Sequence, residues 1–173
     1  MTTFHPRSAL GLVAPNPAHL TLRTHEQIAD SLGETIHHTG YGGTLYHIDP
    51  IVRLHGIQAY HMDTLHYGDI AYEGAFDADG NTYGLRDSKW VGAHAYGTKR
   101  GGNIPNQYTD GIVFLEDARG WTSAASVALH WWMDLYKLAH GKNCHLFTHE
   151  WWSVTACPGS YLIAAVKSTG GSA

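Results

Sequence analysis

Cysteine is scarce in this chain: among 173 residues only Cys144 and Cys157 carry a thiol. Two thiols are too few for the multi-bridge framework of a small disulfide-rich fold, though a bridge between them and a thiolate-ligand role for one both stay open. Charge is sparse as well. Charged residues make up 15% of the chain, 11 lysines and arginines stand against 15 acidic residues, and the formal net charge is -4. Because no run of lysine or arginine occurs, a nucleic-acid or anionic-membrane footprint is not expected, and a neutral or sugar-like partner fits better. Long apolar runs are missing too, since nothing approaches the roughly 20 residues of a membrane span. The opening MTTFHPRSALGLVAPNPAHL has no cationic segment followed by an apolar core, so a chain made in the cytoplasm without its own signal peptide is expected. No internal repeat is present.

What the chain does have is apolar mass and histidine. A hydrophobic share of 43% over this length supports one well-packed domain and leaves little room for a second. The domain is expected to span residues 1–166, with the Ser/Gly-rich KSTGGSA, residues 167–173, as a flexible tail. A monomer is expected. Fourteen histidines, several adjacent or within helical reach of one another, direct attention to metal binding.

The segments alternate in character. ETIHHT, residues 34–39, reads as a short strand followed by a glycine-rich turn at Gly40, Gly42 and Gly43. In IDPIVRLHGIQAYHMDTLHYG, Asp49 is a good N-cap, Pro50 takes the first helical position, and Ile51, Leu54, Ile57, His61 and Leu65 recur at helical spacing. DIAYEGAF and NTYGLR flank DADGN, whose Asp-Gly pair predicts a hairpin. GAHAYG is expected to add a short strand, and TDGIVFLED a buried one because Ile112 to Leu115 are continuously apolar. In TSAASVALHWWMDLYKLAHGK the spacing predicts a long helix with Ala124, Val127, Trp131, Leu135 and Leu138 inward, stopped by Gly141. CHLFTH is the last strand. Strands interleaved with helices in this order imply an α/β fold, a single mixed β-sheet with helices packed against it.

The stretch THEWWSVTACPG, residues 148–159, begins like the zincin helix motif H-E-x-x-H but has Ser153 where the second histidine belongs. His149 and Cys157 could share a metal only with help from elsewhere. Three protein ligands with a fourth position open describe a catalytic zinc site, and zinc accepts imidazole nitrogen with thiolate sulfur. The distant candidates are His37 and His38. Neighbours on a strand point to opposite faces, so at most one of the pair enters a common site.

These pieces occur in a familiar order: TIHHTG, RLHGIQAYHMDTLHYGDIAY, DADGNTYGLR, VGAHAYG, TDGIVFL and H-x7-C-P-G, running from PRSALG to CPGSYL. In that order and spacing the chain resembles the type 2 N-acetylmuramoyl-L-alanine amidases, the zinc family shared by phage endolysins, bacterial amidases and peptidoglycan recognition proteins. The resemblance implies a zinc-dependent (Zn2+) amidase that cuts between N-acetylmuramic acid and L-alanine of peptidoglycan. It places the metal ligands on His37, His149 and Cys157. The active-site tyrosine falls on Tyr72, and Thr155 stands where other members have lysine or threonine, so both are expected to stabilise the oxyanion. His94 borders the substrate groove as a binding residue. A phage endolysin, released to the wall by another protein, is the expected setting. A bacterial autolysin or recycling amidase and a non-catalytic recognition module are the alternatives, and a structural zinc site would need Cys144 as a fourth ligand. The chain departs from the pattern at Ala71, at Glu73, Gly74 and Ala75, and at Glu150, a position that is often arginine.

Overall fold

The computed structural model describes residues 2–40, 48–100, 102–116 and 120–173; the turn expected at Gly42 and Gly43 lies outside them. Among the described residues, strands β1 (Phe4–His5), β2 (Gly33–His38), β3 (Gly74–Phe76), β4 (Thr82–Gly84), β5 (Thr109–Phe114) and β6 (Leu146–Thr148) form one mixed sheet. Its order is β1-β4-β3-β5-β2-β6. β3, β5, β2 and β6 run parallel, while β4 returns antiparallel to β3. The helices are α1 (His25–Ala29), α2 (Pro50–Ala59), α3 (Ile104–Tyr108), α4 (Ser123–His140), α5 (His149–Trp152) and α6 (Ser160–Ser168). None of the described helices is long and apolar enough to cross a membrane.

Both faces of the sheet are covered, which is why Ile112 to Leu115 are apolar without alternation. Ile112 and Phe114 join Ile36 and Phe76 under α4 and α6. Val113 and Leu115 join Ala75 and Tyr83 on the other face, under Leu54 of α2. The expected hairpin is present: Asp77 Oδ1 accepts from the backbone N–H of Asp79 and Asn81, and Gly80 takes the positive φ of 88° that the turn needs.

α2 starts as its sequence demands, with Asp49 Oδ1 accepting from Ile51 N and Val52 N and Pro50 first. The chain then widens into a π-helical turn at Tyr60–Thr64, which shifts the helical phase and leaves Leu65 exposed while His61 is buried. α4 also has its expected length and stops at Gly141 with φ 66°, but its inward face differs. Ala125, Ala128, Leu129, Trp132 and Tyr136 are buried, whereas Val127 and Leu138 of the expected face are 56% and 82% exposed. Two apolar stripes share this helix, and the one with alanines lets the axis approach the sheet. Trp131 is only partly buried and stacks on Phe4 at 5.1 Å.

Two further expectations are corrected. GAHAYG is not a strand: Gly92 N bonds Asn106 O, Ala93 N bonds Ala71 O and Ala95 N bonds the Asn106 side chain, so loop partners replace a ladder. Residues 167–173 are not a loose tail either. α6 runs to Ser168, and Ser172 then pairs with β6, its N–H donating to Leu146 O and its carbonyl accepting from Thr148 N.

Parallel register builds the site. Ile36 pairs with Thr148, so the next residue of each segment, His37 still in β2 and His149 just past β6, stands side by side. Cys144 precedes β6 and lies beside Glu34 near the start of β2, at the opposite end of these strands from His37.

Candidate metal centre and groove

His37 is fully inside the protein, at 1% exposure, near the C-terminal end of β2. His149 is the first residue of α5, and its ring lies 4.6 Å from that of His37, centroid to centroid. Cys157 follows in the turn before α6, with Sγ 3.8 Å from His37 Nδ1. One ligand atom from each of His37, His149 and Cys157 falls within 4.8 Å of the other two. His38 is not in that group, and its backbone N–H donates to Cys157 Sγ at 3.5 Å. Strand alternation therefore separates the pair as expected. Cys144 is a free thiol beside Glu34 and does not join the group.

Burial sets the electrostatics here. It holds His37 well below the ordinary histidine range and His149 below it, so both are neutral and carry a lone pair. Burial also pushes the Cys157 thiol up to about 11, against the pull of the His38 N–H. A buried thiol that meets two imidazole lone pairs ionises readily only when a cation sits among them. Nitrogen and sulfur donors in this number suit zinc and leave one tetrahedral position open.

Tyr72 packs its body on the second core cluster and brings its ring to 5.2 Å from the His37 ring. Burial raises its pKa, so it stays a phenol able to donate. Thr155 Oγ1 accepts from Cys157 N at 3.2 Å, which fixes the turn and leaves the hydroxyl proton to donate elsewhere. His94 is buried at 6% exposure, with Nδ1 3.0 Å from His37 Nε2 and Nε2 3.3 Å from Thr109 O. Glu150 is half-buried and offers its backbone carbonyl to Lys99 Nζ.

Two concavities flank this His-His-Cys group. The larger, about 520 Å³, is lined among others by Thr39, Val52, Ile57, Tyr60, His61 and Tyr72. The other, about 360 Å³, is lined by Tyr67, His94, Tyr96, Asn106 and His149 among its walls. Both volumes suit a ligand of several rings or residues. His61, a structural residue by its helical phase, accepts from Ala71 N through Nδ1 at 3.1 Å and also touches Tyr72. Trp152 is core and donates to Thr35 Oγ1, while Trp151 lies under the Arg100 guanidinium at 3.7 Å. The departure at residues 73–75 is accommodated: Glu73 Oε2 accepts from Gly111 N at 2.6 Å and Ala75 enters the core. The reach of Arg100 and Lys99 onto the carbonyls of α5 was not legible from the sequence, where only a long loop shows.

No protein-family model matches the chain. Peptidoglycan-recognition protein SC1a/b of Drosophila simulans is 34% identical over 135 residues, covering 73% of this chain and 67% of that protein. Among solved structures, bumblebee PGRP-SA superposes with a TM-score of 0.80 at 21% identity, over 100% of this chain and 98% of its own. The ectodomain complex of peptidoglycan recognition proteins LCa and LCx, bound to tracheal cytotoxin, gives 0.80 at 21% identity over 99% and 98%. These relatives overturn the expected localisation. The named sources are insects, not phage, and one neighbour is an ectodomain, so synthesis in the cytoplasm followed by assisted release is withdrawn.

Proposed function

The chain belongs to the peptidoglycan-recognition protein family, and on that premise we propose that it binds peptidoglycan and hydrolyses the amide between N-acetylmuramic acid and L-alanine in a zinc-dependent reaction. The observation that carries this reading is the complete group His37, His149 and Cys157 beside a buried phenol, between two concavities. Those three residues would hold zinc. The chemistry zinc supplies in a three-ligand site is Lewis acidity toward a carbonyl and a lowered water pKa of about 7.

The chain's own residues do the rest. The concavities on either side of these residues give room for the glycan and the stem peptide. Tyr72, kept un-ionised by burial, donates to the carbonyl oxygen as it gains charge. Thr155, its oxygen already engaged by Cys157 N, has its proton free for the same oxygen.

The test is incubation with purified peptidoglycan followed by mass spectrometry of the soluble products. Stem peptides with a free L-alanine amino terminus, lost on chelation and restored by zinc, support the amidase; intact glycan-linked stems with zinc present contradict it. One observation favours binding without cleavage as a second reading. The larger concavity is lined by none of the three ligand residues, so a ligand can occupy it without the metal centre.

A further inference from the structure

Resting on the metal-centre reading above, we infer that His94 is a positioning residue: it fixes the tautomer of His37 and leaves His37 Nδ1 as the lone pair facing the metal position.

The chain of partners admits one arrangement of protons. Thr109 O can only accept, so His94 Nε2, 3.3 Å away, carries a hydrogen. That oxygen also takes Arg23 Nη2 at 2.8 Å, so it is held from a second side. A neutral imidazole protonated on Nε2 has its lone pair on Nδ1, and His94 Nδ1 lies 3.0 Å from His37 Nε2. His37 Nε2 must therefore donate. The remaining nitrogen, His37 Nδ1, is then unprotonated, and it is the one that faces Cys157 Sγ at 3.8 Å. A metal-binding histidine that donates its other N–H in this way is oriented and made more basic.

The fold builds a slot for this ring. A Cβ on Gly111 would come within 2.4 Å of His94 Cγ, and one on Gly92 within 2.8 Å of His94 Cδ2. The two imidazoles meet edge to face at 77°, with centroids 5.1 Å apart. The same two engaged nitrogens make His94 a poor direct ligand for substrate, the role its place in the sequence suggested.

Two measurements test this on the full chain. Two-bond proton–nitrogen correlation spectra of the metal-free, histidine-labelled protein should show His37 protonated on Nε2; protonation on Nδ1 overturns the inference. Competition with a chromophoric chelator then compares zinc affinities of variants whose circular dichroism matches wild type. His94→Leu should bind 10- to 100-fold more weakly, on the order seen for lost outer-shell partners, and His94→Asn, whose Oδ1 replaces the Nδ1 acceptor, within about threefold of wild type. Wild-type affinity in His94→Leu overturns the inference. If the wild-type chain takes up no zinc, the metal-centre reading falls, while the metal-free spectrum still decides the tautomer.

Discussion

Gly74 lies directly beneath the Trp132 indole: a Cβ there would stand 2.4 Å from Cζ2 and Cη2 of the ring. Trp132 Nε1 donates to Ala75 O at 3.2 Å, so the ring is pinned and cannot yield easily. Gly74→Ala is expected to destabilise the fold by about 1–3 kcal/mol, the usual cost of overpacking. A lower urea midpoint with an unchanged slope would show it.

That contact also explains where the sequence was and was not legible. Asp49-Pro50, the Asp-Gly turn and Gly141 are local signals, and each stands where its backbone chemistry requires. The phase of α4 is a different matter. Val127, Trp131 and Leu138 offer a stripe as apolar as the one used, and the choice is made by the alanines and by the space over Gly74, a contact 58 positions away in sequence that no periodicity reports. That His37, His149 and Cys157 come together was legible through motif order, because H-x7-C-P-G and TIHHTG keep their spacing. The proton arrangement behind His37 was not, since it depends on Thr109 O and on the room left by two glycines.

Tyr72→Phe keeps the ring against His37 and the second core while deleting the donor. Stem-peptide release is expected to fall about a hundredfold to a thousandfold, as for loss of one oxyanion donor, with sedimentation onto peptidoglycan unchanged. Loss of binding in step with activity would make Tyr72 a substrate contact instead.

Zinc should stabilise the folded chain by mass action, worth about 4 kcal/mol at a thousandfold excess over Kd. Thermal melts are expected to shift upward with zinc in wild type and in Cys144→Ala, and not in Cys157→Ala. A lost shift in Cys144→Ala would indicate a four-ligand structural site.

Stability should also depend on pH through His61. Its pKa is lowered from 6.5 to about 4, chiefly by burial and then by Arg86, with Asp69 opposing. The neutral ring is the form the fold favours, since Nδ1 accepts from Ala71 N. The stability it contributes is therefore complete above pH 6.5 and is lost as pH falls through about 4. His61→Asn keeps an acceptor that does not titrate, and its urea midpoint is expected to fall less than that of wild type between those limits.

The most direct measurement places binding and cleavage side by side on one preparation of peptidoglycan, with zinc present, for wild type and Cys157→Ala. Wild type is expected to sediment with the polymer and release stem peptides beginning in L-alanine, while Cys157→Ala sediments equally and releases none. Zinc-loaded wild type that sediments and releases no stem peptide would contradict the amidase and leave a recognition module.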